Sequence, residues 1–166
     1  LLGAGAFALL GAPGASGAVF CVQDPACVSG GGTSQPTLQS AFTAADGNGS
    51  GLDTVRIGAT PTPIAGGSAN GAVEVIGAGQ GQTTITGGAG KVVDLNFAGS
   101  SIKNLSVQMS GSASVGVEAE GTASQVAVTG TTTSFAFAIQ LSGGGINDHL
   151  NVDVAPANGG SVVTAL

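Results

Sequence analysis

The chain has 166 residues, of which 42% are hydrophobic, 31 are glycine and only six are aromatic, all of them phenylalanine. Nine acidic and three basic residues give a net charge of −6, which excludes nucleic acid as a partner because a phosphate-binding surface needs many more cations. The mean hydropathy is positive, so the low charge does not indicate intrinsic disorder. Short runs of Val, Ile and Thr between glycines favour one all-β domain with many tight turns.

Residues 1–18 resemble part of a secretory signal. Residues 1–12 form an uncharged apolar run, and Pro13 and a small-residue stretch ending at Ala18 follow it. This pattern is typical of a signal core and its cleavage site, with Ser16 and Ala18 in the small-residue positions. The run is too short for a transmembrane segment, and no other segment is predicted to cross a membrane. We therefore interpret residues 1–18 as a partial secretory signal peptide and expect a secreted or cell-surface protein.

Residues 19–35 are predicted to form a disulfide loop and a linker. Cys21 and Cys27 are the only cysteines, and export would expose them to an oxidising compartment. A metal or redox pair lacks the expected C-x-x-C spacing, and lipid attachment at Cys21 is disfavoured by the large Phe20 before it. We predict a structural disulfide, followed by a flexible Gly/Ser linker over residues 29–34.

Residues 36–45 are predicted to form a short helix. Leu38, Ala41, Phe42 and Ala45 follow the spacing of one apolar helix face, with Ser34 as the candidate cap. The apolar face of this helix must pack against another apolar surface. The open end of a stacked β-coil provides one, because its first strands would otherwise expose the core. We therefore expect this helix to cap the domain formed by residues 36–166.

The rest of the chain repeats two strand-like motifs. Strands are predicted at residues 54–57 and 73–76, and the following motifs then recur about every 22 residues. The first series contains Val93, Val115 and Phe137, and the second contains Ile85, Leu105, Val126 and Leu150. A fixed period with two short strands is typical of a solenoid whose coils stack on one another. Residues 161–166 resemble a strand without a cap, so we expect the domain to be truncated at its C-terminus.

Alternation along each strand predicts which side chains face the core. Both series should point inward, together with Leu95, Val117 and Ile139. The outward residues should form two walls, the first containing Asn104, Ser106, Gln108, Gln125, Ala127, Thr129, His149, Asn151 and Asp153. The second wall should contain Asp94, Asn96, Gly116, Glu118, Glu120, Ala136, Ala138 and Gln140.

These motifs resemble the pectin-lyase-like superfamily of right-handed parallel β-helix proteins, and most of all its exported, Gly/Ala-rich actinobacterial members. The resemblance covers residues 37–154 and lies in the helix at 38–42 and in the strands at 53–57, 73–79, 83–87 and 102–107. It implies an all-β, right-handed parallel β-helix with a short N-terminal capping helix. Enzymes of this superfamily act on acidic polysaccharides, but none of their catalytic motifs occurs in this sequence, and many relatives have no known activity.

Asp148, His149 and Asp153 are the only grouping of acids with the single histidine. Glycosidic hydrolysis needs two carboxyl groups at a suitable separation. His149 and Asp153 should share one face, whereas Asp148 alternates away from them. An exposed polar strand explains the three residues better, so they are only weak catalytic candidates.

Two segments offer oxygen ligands to a calcium ion. Glu118 and Glu120 share a face near Asp94 of the preceding coil, although solvated surface acids explain this patch more simply. Residues 46–51 imitate the start of a calcium loop, but Ile57 occupies the position of its bidentate acid. No cofactor is predicted, and calcium remains the one alternative.

The sequence therefore predicts a shape in more detail than a function. Our leading expectation is a non-catalytic β-helix module with a structural or interaction role, for which polysaccharides or cell-wall components are candidate partners. The alternative is a polysaccharide lyase or glycoside hydrolase whose catalytic coils lie outside this sequence.

Overall fold

A computed structural model describes residues 17–49, 51–133, 135–142, 151–156 and 161–165. Parallel strands dominate and curl into a half-barrel, and two short helices lie near its N-terminal end. The helices are α1 (Pro25–Ser29) and α2 (Leu38–Asp46). The strands are β1 (Val19–Val22), β2 (Thr33–Gln35), β3 (Asp53–Ile57), β4 (Ile64–Ala65), β5 (Gly67–Ala69), β6 (Val73–Gly77), β7 (Thr84–Thr132), β8 (Ala136–Leu141), β9 (Asn151–Pro156) and β10 (Ser161–Ala165).

The described strands pair in parallel within one sheet. Its main order is β10-β8-β7-β6-β3-β1-β2, and β4, β5 and β9 pair with other parts of β7. Val55 of β3 lies between Phe20 of β1 and Val75 of β6, and Val75 in turn pairs with Ile102 of β7. This parallel, curled sheet is compatible with the predicted parallel β-helix and confirms an all-β architecture.

The repeat seen in the sequence is present in the hydrogen bonds between neighbouring passes of the chain. The hydroxyl of Thr60 donates to the carbonyl of Gln82, and that of Thr133 donates to the carbonyl of Gly111, each across 22 residues. Ser112 donates to the carbonyl of Gly88 across 24 residues. Segments of the chain that are one predicted period apart in sequence therefore lie side by side.

The long strand β7 changes direction where its backbone enters the left-handed region. Asn104 has a φ of 58° and Gln125 a φ of 51°, and both lie beside the same surface cleft. Asparagine tolerates this region better than other residues with a Cβ atom, whereas glutamine has no such advantage. Gln125 is therefore a strained corner.

The predicted inward residues form most of the core. The fully buried ones are Ile85, Val93, Leu95, Leu105, Val117, Val126 and Ile139. Val115 pairs with Phe137 as expected, although Phe137 is only half-buried, and Leu150 lies outside the described residues.

Four residues predicted to point outward are buried instead: Gly116, Ala127, Ala136 and Ala138. In β8, Phe137 and Ile139 pair with consecutive residues of β10, so Ala138 is an extra residue that breaks the alternation. A Cβ atom on Gly116 would contact the sulfur of Met109 and Val128, which places this position against the core. The prediction for these residues was wrong because small residues fit either face of a strand.

Helix α2 covers the core as predicted. Leu38, Ala41, Phe42 and Ala45 are its buried residues. The predicted cap was wrong, because the N-cap is Thr37 rather than Ser34. Thr37 and Ser40 form a capping box in which each side chain accepts a hydrogen bond from the other residue's backbone N–H.

The segment before α2 contributes two strands to the sheet. Strand β1 lies between β2 and β3, although the sequence had suggested only a loop and a linker here. Helix α1 lies between β1 and β2, and the carboxylate of Asp24 accepts a hydrogen bond from Cys27 N at its N-terminus. Cys21 and Cys27 lie at disulfide distance, with 5.8 Å between their Cα atoms, and form the predicted pair.

Candidate binding site

The structure places only one of the three weak catalytic candidates. Asp153 lies in β9, where its side chain is exposed and its backbone pairs with Thr129. Asp148 and His149 lie outside the described residues. The proposed acid and histidine grouping therefore remains a prediction.

Asp94 and Glu118 approach each other through a shared cation. The ammonium of Lys91 lies 2.8 Å from Glu118 Oε1 and 3.1 Å from Asp94 Oδ2. Lys91 follows Gly90, whose φ of 60° turns β7 just before the cluster. Sequence reasoning identified the two acids but not the lysine, although its place three residues before Asp94 was an available signal.

The two carboxylates keep Lys91 protonated. Partial burial of the ammonium acts to lower the pKa of Lys91, but the hydrogen bonds with Glu118 and Asp94 outweigh it and raise that pKa above its ordinary value. The cluster therefore stays an ion pair at neutral pH. Glu120, the third predicted calcium ligand, is partly exposed two residues beyond Glu118.

The second carboxylate oxygen of Asp94 is a hydrogen-bond acceptor that could bind a ligand. Asp94 Oδ1 is buried and has no hydrogen-bond partner. A buried acceptor without a donor is costly. Because Oδ1 is closed to solvent, a ligand in a neighbouring cleft could donate to it only after the Asp94 carboxylate rotates.

Asp94 lies in the wall of a cleft of about 460 Å³, which we call the Asp94 cleft. This volume falls in the range of small-molecule sites. Ser68, Thr86 and Lys91 are the lining residues, besides Asp94, that carry a hydroxyl or an ammonium group. The remaining lining residues are Gln39, Ala65, Gly66, Gly67, Gly87, Ala89 and Val92.

The capping helix fixes one side of this cleft. The amide of Gln39 on α2 donates to the carbonyl of Ser68 at 3.1 Å and accepts from the N–H of Ser68 at 3.0 Å. A Cβ atom on Gly67 would crowd Gln39 and Phe42. The contact between α2 and β5 therefore holds the cleft wall in place.

The other two basic residues of the chain are also held in ion pairs. Arg56 Nε lies 3.3 Å from Asp24 Oδ2, and the ammonium of Lys103 pairs with Glu74. Proton abstraction would need a basic group whose proton is not held by a carboxylate. In this structure each of the chain's Arg and Lys side chains therefore has an acidic partner.

The acid that begins the segment resembling a calcium loop is already hydrogen-bonded within the protein. The carboxylate of Asp46 accepts from both the backbone and side-chain N–H groups of Asn70, at 2.9 and 3.2 Å. Asn48 donates to Asp53 at 3.0 Å. Within the described part of the chain, no group of three or more acidic, histidine or cysteine side chains is placed to hold a metal ion.

Searches of protein-family models, curated proteins and solved structures found no match to this chain. No helix among the described residues is long and apolar enough to cross a membrane.

Proposed function

We propose that this chain is an exported, non-catalytic module of the parallel β-helix type that binds polysaccharide in the Asp94 cleft. The observation that carries the proposal is the buried Asp94 Oδ1, an acceptor without a donor in the wall of a cleft of about 460 Å³. A sugar hydroxyl is a neutral donor that would satisfy this oxygen once the Asp94 carboxylate rotates toward the cleft. Export is supported by the disulfide, which is typical of oxidising compartments.

The chemistry of the cleft favours a neutral, hydroxyl-rich ligand over an acidic one. The ammonium of Lys91 is already shared by two carboxylates, so it offers little to a uronate. Ser68 and Thr86 add hydroxyl groups that both donate and accept. The chain has no Trp or Tyr for stacking, so we expect weak binding to a single sugar that gains strength along a polymer.

A non-catalytic role is supported by the ion pairs. Arg56, Lys91 and Lys103 are the chain's Arg and Lys residues, and each is paired with an acid. A lyase would need one of them to take a proton from the substrate. The lyase form of the enzymatic alternative therefore requires a base outside the described part of the chain.

Co-sedimentation with insoluble polysaccharides and affinity electrophoresis in soluble ones test this proposal. The wild-type chain should bind at least one neutral polysaccharide. Asp94→Asn should weaken that binding several-fold, because the amide oxygen is needed opposite the Lys91 ammonium and the amide nitrogen that then replaces Oδ1 cannot accept. Glu74→Gln is the matched control, because it breaks a Lys–Glu pair away from the cleft and should leave binding unchanged.

Two results would overturn the proposal. Equal binding by the wild-type chain and Asp94→Asn, or no binding to any polymer, would remove the cleft as the site. Release of unsaturated uronates or new reducing ends by the purified chain, with or without Ca²⁺, would establish the enzymatic alternative instead.

A further inference from the structure

The carboxylate of Asp53 lies beneath the N-terminal end of β1. Only 2% of Asp53 is exposed, yet this acid begins β3. Its Oδ1 accepts hydrogen bonds from the backbone N–H of Ala18 at 2.6 Å and from the side-chain amide of Asn48 at 3.0 Å. Both of these donors are neutral, and a buried carboxylate is stabilised far better by a cation.

None of the chain's Arg or Lys side chains supplies that cation. Arg56 is paired with Asp24, Lys91 with Asp94 and Glu118, and Lys103 with Glu74. Of the two nitrogens that donate to Asp53 Oδ1, the backbone nitrogen of Ala18 is the nearer. This nitrogen would carry a positive charge if Ala18 were the first residue of the mature chain.

The sequence around Ala18 allows two cleavage positions. Ser16 and Ala18 suit a cut after Ala18, whereas Ala15 and Gly17 place small residues correctly for a cut one bond earlier. Residue spacing alone does not separate these two positions.

The hydrogen bonds of Ala18 distinguish the two positions. Its N–H donates to Asp53, and its carbonyl accepts from the N–H of Thr54 at 2.8 Å. A cut after Ala18 removes both bonds from the start of the sheet. A cut before Ala18 keeps both, and it converts a neutral donor into an ammonium at 2.6 Å from a buried carboxylate.

We propose that the protein is processed between Gly17 and Ala18, and that the new α-ammonium of Ala18 forms a buried ion pair with Asp53. The step is hydrolysis by an endopeptidase that recognises small residues, and it rests on the predicted export of the chain. Water adds across the Gly17–Ala18 peptide bond, which leaves a carboxylate on Gly17 and an amine on Ala18 that takes up a proton. Processing thereby adds an ion pair between the start of β1 and the start of β3.

Chains with defined first residues test the ion pair. The full remaining chain is prepared from Gly17, Ala18 or Val19 onward, through an N-terminal fusion that is removed without leaving extra residues. Urea unfolding should show the Ala18 chain as the most stable, with an unfolding equilibrium constant about fivefold or more below that of the Gly17 chain. Nα-acetylation of the Ala18 chain keeps the N–H but removes the charge, and it should abolish this advantage.

Asp53→Asn separates the ion pair from the general effect of chain length. In that background the Ala18 and Gly17 chains should be equally stable, whereas Asp46→Asn, a control acid bonded to Asn70, should leave the difference intact. N-terminal sequencing of the protein exported from cells should give Ala18. An exported chain that begins at any other residue overturns the processing site, and equal stability of the Ala18 and Gly17 chains overturns the ion pair.

Discussion

Lys91 and Glu118 form an ion pair of 2.8 Å between separate turns of β7, and Asp94 lies 3.1 Å from the same ammonium. One cation therefore balances two carboxylates that would otherwise repel each other. The side chain of Lys91 is 35% exposed, so solvent screens part of this attraction. The pair joins two separate parts of β7 beside the Asp94 cleft.

Replacing Lys91 by methionine should lower the free energy of unfolding by about 1 kcal/mol. The loss includes the attraction to two acids and the repulsion between Asp94 and Glu118 that remains. Urea unfolding measures the change. Lys103→Met is the control, because its lysine is paired with only one acid and should cost less. Equal losses in the two variants would show that the second carboxylate contributes nothing.

Calcium should distinguish the Lys91→Met protein from the wild type. In the variant, Asp94 and Glu118 retain their charges but have lost their ammonium, and carboxylate oxygens are the ligands that calcium prefers. Millimolar Ca²⁺ should therefore raise the melting temperature of the variant and leave that of the wild type unchanged. The same concentration of Mg²⁺ serves as the control. A wild-type melting temperature that rises with Ca²⁺ would reveal a different calcium site.

Alkaline pH should weaken the wild-type fold through Lys91. Because the pKa of Lys91 is raised in the folded protein, its stabilisation is fully present below the ordinary lysine pKa of about 10.4. That stabilisation is lost as the pH rises through the higher folded value. Lys91→Arg keeps its charge in this range, so its stability should fall less than that of the wild type above about pH 10.4. The free energy of unfolding of both proteins is measured by urea unfolding as a function of pH. An equal fall in the wild type and Lys91→Arg above about pH 10.4 would contradict the prediction.

Loss of the disulfide should cost about 2 kcal/mol, because Cys21 and Cys27 close a short loop. The double Cys→Ser variant measures this, and its effect should appear as faster hydrogen exchange in β1 and β2. Gly32→Ala should have a related effect, because a Cβ atom there would collide with both sulfur atoms. Gly30→Ala is the matched control, because a Cβ atom at Gly30 meets no atom closer than 3.4 Å. Gly31→Ala is unsuitable as a control, because the φ of 96° at Gly31 strains any side chain.

Gln125→Gly should stabilise the fold by about 0.5–1 kcal/mol. The glycine removes the Cβ atom that makes a φ of 51° unfavourable, and this gain exceeds its cost in the unfolded chain. Gln108→Gly, in an exposed part of the same strand, should instead destabilise the protein. Thermal unfolding should therefore show a higher melting temperature than the wild type for Gln125→Gly and a lower one for Gln108→Gly.

Hydrophobic periodicity predicted the parts of the fold in which large apolar residues recur. The helix face containing Leu38 and Phe42 and the buried column containing Leu105 and Val126 follow directly from their spacing. Ala138 and Gly116 could not be assigned in this way, because their small side chains fit both the core and the surface. Strand β1 was missed because it is short and its partner β3 is distant in sequence.

The candidate site was less predictable than the fold. The acids Asp94 and Glu118 were recognised as neighbours because they lie about one predicted period apart in the sequence. Their contact with Lys91 depends on where β7 turns at Gly90, and the Asp94 cleft depends on how Gln39 of the capping helix meets Ser68. Such long-range contacts leave no periodic signal in one sequence.

The spacing of the bonds between passes also governs how this protein can change in length. Ser112 bonds to a carbonyl 24 residues earlier in the chain, and Thr133 to one 22 residues earlier, so one repeat of this length is the smallest segment that contains a complete set of such contacts. Duplicating or deleting one whole repeat should leave the remaining neighbours in register. A single-residue deletion within a strand would instead turn its buried side chains toward solvent. Variation in length is thus expected to occur in whole repeats, or in the turns between strands.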